Sequence, residues 1–495
     1  MELPKSKYEL IFLLCILIER LGGGILSGLP SLCLLDFANI FDLPVDKVAI
    51  ILSAKSAGSM IGSLIAPLYL QFEPYKDKIS TMTLFGILMI LSGVLTALSP
   101  LMPNLTLLFI LIAASTVIYG FLDLALQSVI IQTWGREASK SYVHFYHMAW
   151  SIGSILGPYV TLPFVIDEED SIDDLCDISS GDEPLNLTGT TKIYGSFGEE
   201  KNESNMIKIF WPWLITAGFW CLGGVIAIYV GLKNYTKKIS EQYQSMEIDD
   251  NISLPGLGNK AFDGSVKQVD LIEKVVDQQG KLQLNDPEEP PKPQKYWPYE
   301  VILLICIFIM YLSAGGAEHW YVDFAYEYAI CIRNWTTTQS STLVSIFWAS
   351  FAVSRFAGII LCNYIKPAIY VSIEIVGCLI SFILLIIYNG SESNDVIIWV
   401  ASCLLAVSYG SLYPNGIALG SQYFDVTRKY SVFFGLGNFT GQMMVPLGAS
   451  ILLTDTTLFF IAGTIFSGVY VVPAVVLVVL GGYFQRRGRL RPEYC

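Results

Sequence analysis

Twelve stretches of this chain are each long and apolar enough to cross a bilayer, whose hydrocarbon core of about 30 Å takes about 20 residues of helix. They lie near 9–34, 47–72, 80–99, 104–133, 142–166, 209–232, 299–330, 338–364, 367–389, 395–424, 430–453 and 457–484. The runs are continuous and do not alternate with a period of two, which excludes a closed outer-membrane barrel. The first run is too long for the apolar part of a signal peptide, and no small-residue cleavage site ends it, so it is expected to remain a span. Of the 495 residues, 53% are hydrophobic and 15% charged, against about 25% charged in an ordinary soluble domain. A mean hydropathy of +0.54 means more apolar surface than one water-soluble core can hide, so a soluble enzyme is excluded. The formal net charge of −13 argues against a nucleic-acid partner. That charge is local: Asp167–Lys208 alone carries twelve acids and three bases. The predicted fold is all-α and integral to the membrane.

Orientation follows from Lys and Arg beside the spans. The side that holds both termini collects Lys76 and Lys78, Arg136 and Lys140, Lys237 and Lys238, and the arginines of the tail. The other side shows Lys47, Lys192, Lys201, Lys208 and Arg333. Both termini are therefore expected in the cytoplasm, and the plasma membrane is the expected location. The acidic loop 167–208 is then outside, with glycan acceptor triplets at Asn186 and Asn202. Cys176 and Cys331 also fall outside; whether they pair depends on a distance that sequence does not give. In the linker 234–297, Val266, Val269, Ile272, Val275 and Val276 recur at helical spacing. An amphipathic helix on the membrane face and a disordered tether are equal readings of it.

An internal repeat with a period near 290 is the strongest organising feature. Tyr119, Gly120 and Gln132 match Tyr409, Gly410 and Gln422, and Tyr142, Phe145, Gly153 and Pro158 match Tyr430, Phe433, Gly441 and Pro446. Lys55-Ser56-Ala57-Gly58 matches Arg355-Phe356-Ala357-Gly358, and Asp36-Phe37-Ala38 echoes Asp323-Phe324-Ala325. The order is shared and the offset nearly constant. Two duplicated six-span halves, 1–233 and 298–485, with a basic tail 486–495, follow the plan of major facilitator transporters, with a solute site between the halves.

Charges inside spans are costly unless they face protein or water, so they rank the site candidates. Span 1 carries Glu19 and Arg20. Adjacent residues point about 100° apart, so at least one needs a partner from another helix. The following Gly22-Gly23-Gly24 and Gly28-Leu29-Pro30 are expected to loosen that helix and allow close packing. Asp123 and Gln127 share a face of span 4 and suit a hydroxyl, Na⁺ or a proton; alternatively, Asp123 pairs with Lys55 or Arg136. Span 5 sets His144, His147 and Trp150 on one face, with Trp150 a platform for the C–H face of a sugar. Span 7 holds Gly315-Gly316-Ala317-Glu318-His319-Trp320, expected to bend at its glycines and to form a gate and pocket wall through Glu318 and Trp320. Tyr409, Asn415, Asn438 and Gln442 supply a phenol and amides suited to a neutral polyol, or bonds between helices. Lys55 and Arg355, related by the repeat, read as gating cations that latch one end of the cavity. Glu19, Asp123 and Glu318 are the candidate ion-coupling carboxylates.

No phosphate-cradling Gly-Lys-Ser/Thr loop, hydrolase elbow or zinc-spaced ligand set appears, so ATP-driven transport, those hydrolases and a metal centre are unsupported. The chain resembles the animal sodium-dependent glucose transporter group, together with major facilitator domain-containing protein four. The resemblance rests on Gly120-Phe121-Leu122-Asp123, Trp134-Gly135, His147, Gly153 and Pro158. In the second half it rests on Gly316-Ala317-Glu318, Phe347-Trp348-Ala349-Ser350-Phe351, Arg355 and Tyr413-Pro414-Asn415-Gly416. It implies facilitated or sodium-coupled hexose uptake by a monomer in the lipid bilayer, with Na⁺ as the co-transported ion and no resident cofactor. Another solute class such as an organic acid or nucleoside, proton coupling or uniport, and a non-transporting receptor or scaffold are the competing expectations.

Overall fold

A computed structural model describes residues 7–71, 81–165, 197–252, 298–361, 364–389, 394–423, 428–452 and 455–486. Asn186, Cys176 and the helical pattern at 266–276 lie outside these residues. Asn202 falls in the helical run Phe197–Ile252, and its side chain, like that of His144, is outside them too. Internal contacts divide the chain into Met1–Leu232 with Ile302–Cys495, and Lys233–Val301.

Among the described residues ten helices are long and apolar enough to cross a membrane. Two more legs complete the twelve. The first is hidden in the helical run Leu105–Thr161, 57 residues long, which if straight would measure about 86 Å. Yet Tyr146 Oη lies 3.0 Å from Asp123 Oδ1, and the rings of Trp134 and Tyr142 stack at 3.9 Å. The run therefore turns back on itself and supplies spans 4 and 5. The second is span 11, Arg428–Leu452, whose glycines and polar residues dilute its apolar character.

The repeat of the sequence is also a repeat of local geometry. Span 1 (Lys7–Leu32) is followed by a turn at Cys33 and the short helix Leu34–Phe41. Span 7 (Pro298–Val322) is followed by a turn at Asp323 and Phe324 and the short helix Ala325–Glu327. Asp42 at φ 51° and Asn334 at φ 55° are the non-glycine residues with positive φ among those described. They sit at matching points of the two halves, where a short polar side chain tolerates the left-handed region.

Glycines set the helix spacing. A Cβ on Gly24 would stand 2.0 Å from the Trp150 carbonyl oxygen, and one on Gly153 would stand 2.1 Å from the Leu21 carbonyl oxygen, so spans 1 and 5 touch backbone to backbone. Their counterpart Gly441 would meet the Leu312 carbonyl oxygen at the same 2.1 Å. Close approach through small residues is how helices gain dispersion contact in lipid, where burial of apolar surface gives no drive. Gly22–Gly24 stay inside Lys7–Leu32 and allow the close packing expected of them, and Gly315–Gly316 stay inside Pro298–Val322 without breaking it. Span 7 breaks instead at Asp323 and Phe324.

Lipid takes the outward stripes. Ile369, Ile373, Val376, Ile380, Ile383 and Ile387 of span 9 (Pro367–Ile387) are all exposed at helical spacing. Cys331 is disulfide-bonded, whereas Cys15, Cys33, Cys221, Cys306, Cys378 and Cys403 are free thiols.

The backbone contacts of Gly24 and Gly153 generate a prediction. Gly24→Ala and Gly153→Ala should each cost about 1–3 kcal/mol by overpacking. Thermal unfolding in detergent should show both variants melting lower. Gly218→Ala, with nothing within 4 Å of its added Cβ, should melt like the parent.

Candidate functional site

Three residues at four-residue spacing on span 4, Tyr119, Asp123 and Gln127, share one face and converge on Arg20 of span 1. Arg20 Nη2 forms an ion pair with Asp123 Oδ1, and its Nη1 donates to Tyr119 Oη at 2.8 Å. Gln127 Nε2 and Tyr146 Oη both donate to the same carboxylate oxygen at 3.0 Å. The guanidinium carbon lies 4.1 Å from the Tyr146 ring centre and 5.3 Å from that of Tyr119. A planar cation between two phenol rings and a carboxylate is favoured by charge and by the ring quadrupoles. Asp123 is thus paired with Arg20, while Lys55 pairs with Asp323; the Arg136 side chain lies outside the described residues. Its side chain remains 19% exposed while that of Arg20 is 3% exposed.

Glu19 takes the other side of span 1. It is fully buried, and neither carboxylate oxygen has a hydrogen-bond partner. Gly223 of span 6 packs against its Cβ. The charged neighbour of Glu19 is Arg20, with the Tyr119 and Tyr146 hydroxyls beyond.

The seam between the halves is made by spans 2 and 5 of the first half and spans 7, 8 and 11 of the second. Ser53 Oγ donates to the Met443 carbonyl at 2.8 Å, and Ser345 Oγ donates to that of Ile155 at 3.1 Å. Lys55 Nζ lies 3.6 Å from Asp323 Oδ1 and donates to the Ser27 carbonyl at 2.7 Å. The other Asp323 oxygen meets His319 Nδ1 at 3.0 Å. Counted along the helices, these contacts fall on the half of the bundle away from the termini. Deeper in the seam, the Trp150 and Trp348 rings meet edge to face at 5.2 Å. The Arg355 guanidinium sits 5.7 Å from the Trp150 ring centre and donates through Nε to the Gly410 carbonyl. Glu318 is half-buried, with His319, Arg355, Asp323 and Lys55 as its charged neighbours.

Other expected site residues are placed elsewhere. Trp320 is buried, stacks against Phe459 and Phe466, and donates to the Phe459 carbonyl of span 12. Tyr409 bonds Ser467, and Asn415 donates to Glu374. These groups tie helices together within the second half. Asn438 and Gln442 are half-buried on span 11, and Asn438 lies against Gly315. His147 is half-buried and meets the Tyr146 ring edge to face. Tyr146 and Asp323 are central here. The sequence signal for Asp323 was its place in the repeat; Tyr146 gave none beyond standing four residues after Tyr142.

Comparison with known proteins agrees with this architecture. No family model matches the chain. It is 21% identical to human sodium-dependent glucose transporter 1 over 432 residues, 87% of this chain and 71% of that protein. It is 20% identical to zebrafish major facilitator superfamily domain-containing protein 4A over 389 residues, 75% of this chain and 70% of that one. The solved D-xylose–proton symporter superposes with a TM-score of 0.59 at 11% identity, covering 98% of this chain and 99% of its own. The chain shares the fold of these major facilitator proteins, and its apolar helices suit a multi-pass membrane protein.

The Arg20–Asp123 pair generates the next prediction. Removing one partner of a buried pair strands the other and costs about 3–5 kcal/mol; partial exposure of Asp123 sets the lower end. Arg20→Met should therefore lower the detergent-denaturation midpoint strongly. Arg20→Met with Asp123→Leu should recover much of the loss, and additive losses would contradict a direct pair.

Proposed function

We propose that this chain carries a small neutral polar solute of the hexose class across the membrane by alternating access, coupled to a monovalent cation gradient. The observation that carries this reading is the Trp150–Trp348 pair, one ring from each half, beneath the Lys55–Asp323 contact. A sugar offers apolar C–H faces to aromatic rings and hydroxyls that must each find a partner when buried. Half-buried Glu318, neighbour of the Arg355 that sits against the Trp150 ring, supplies an acceptor at that platform. A solute touching both halves can bind the two states unequally, which is what lets it shift their balance.

The described seam contacts gather on the half away from the termini. With the termini in the cytoplasm, as the Lys and Arg distribution implies, these contacts close the outer half of the seam. Lys55 and Asp323 then act as the outer latch, with Arg355 holding the base of the platform. Sodium is the cation suggested by the name of the human relative. Arg20 already neutralises Asp123, so a cation at that carboxylate requires Arg20 to move away.

The test is uptake of radiolabelled hexoses into proteoliposomes, with and without a sodium gradient. Hexoses should compete, while nucleosides and organic acids should not. Trp150→Ala should raise the half-saturation concentration about tenfold, a loss on the order of 1.4 kcal/mol, with the protein still folded. Competition by nucleosides alone would overturn the solute class. Asp123→Asn should lose gradient dependence yet keep exchange of labelled solute; full retention of gradient dependence would remove Asp123 from the coupling scheme.

A further inference from the structure

Span 7 changes geometry where it meets the first half. Its helix stops at Val322. Phe324 has φ −122° and ψ 4°, and its N–H donates to the Tyr321 carbonyl. One α-turn, Ala325–Glu327, leads into a π-helical stretch, Tyr328–Ile332. Such breaks free backbone carbonyls from regular pairing, and π-turns recur at functional sites.

His319, Asp323 and Glu327 recur every four residues through this break. All three are buried, at 7%, 3% and 1% exposure. The Asp323 charge is answered by Lys55 across the seam and by His319 on its own helix. The Glu327 charge is not answered: neither of its carboxylate oxygens has a hydrogen-bond partner. Its electrostatic neighbours are Asp323 and the Cys33 thiol at the end of span 1. Asp36, beyond Cys33, has interactions of its own. Lys55 answers Asp323 and Arg355 stands beside Glu318, whereas the charged group coupled to Glu327 is another carboxylate, Asp323.

We propose that Glu327, with Asp323 beside it, is a binding site for one monovalent cation, a proton or Na⁺, occupied while the halves are closed at this seam. A single positive charge completes the balance. A proton would add to one Glu327 oxygen with no other bond changed; Na⁺ would take carboxylate oxygen and the carbonyls of the break. When the halves part here, water reaches both carboxylates and the need for the cation falls. The cation therefore favours the closed seam, by its differential affinity for the two states. This rests on the alternating-access reading and adds to it a residue outside the solute platform.

The experiment uses the purified full-length chain. Thermal stability is measured across Na⁺ concentrations with choline as the balancing ion, and across pH without Na⁺. Exchange of labelled solute is measured on the same preparations. The parent should be stabilised by Na⁺ in one arm or by acid in the other, which identifies the cation. Glu327→Gln should lose that response while keeping solute exchange. Glu327→Asp should keep it with the midpoint shifted at least tenfold, which covers the case where the Gln variant does not fold. Glu374→Gln, at a buried carboxylate of span 9 away from the seam, should respond to Na⁺ like the parent. An unresponsive parent, or a Glu327→Gln protein with the parent's response, overturns the proposal. Loss of exchange in the parent would instead tell against the carrier reading itself.

Discussion

A charge in hydrocarbon must meet a counter-charge or water, and two of this chain's intramembrane pairs draw their partners from distant parts of the sequence. Arg20 and Asp123 are paired within the first half, under the hydroxyls of Tyr119 and Tyr146. Lys55 and Asp323 are paired across the seam. The two arrangements differ in what they resist. The first fixes spans 1, 4 and 5 as one body. The second exists only while the halves touch, so its free energy belongs to one conformation and not to the fold. Rigid halves joined by a conditional contact are what a rocking mechanism requires.

Small residues make those pairs attainable. With Gly24 and Gly153 in backbone contact, Arg20 is brought within reach of spans 4 and 5. Gly441 against Leu312 holds spans 7 and 11 in the same way. The same closeness in both halves is the physical content of the duplication, and it explains why the matching residues are mostly glycine, proline and aromatic. The partners of matching residues differ between the halves: Tyr119 holds Arg20, whereas Tyr409 holds Ser467.

Much of this was legible in the sequence. Span count and repeat follow from apolar run length and from residues at a near-constant offset. A buried charge also announces that it needs a partner. Which partner it finds is set by how helices more than a hundred residues apart rotate against each other, and a single sequence carries no signal for that. Asp123 with Arg20 in place of Lys55 is such a case. So is Trp320, whose polar edge serves span 12. The position of the break in span 7 was missed for another reason. Glycine both permits bends and admits close neighbours, and here Gly315 is used to admit Asn438. Glu327 stood among aromatics near a span end, where a carboxylate reads as exposed.

The central claim is that the halves must separate at the seam for solute to pass. Ser345 and Ile155 face each other there from spans 8 and 5. In a variant with Ser345→Cys and Ile155→Cys, oxidation should join the halves, stop exchange of labelled solute in proteoliposomes, and release it again on reduction. Exchange at the full rate through the cross-linked protein would contradict the account.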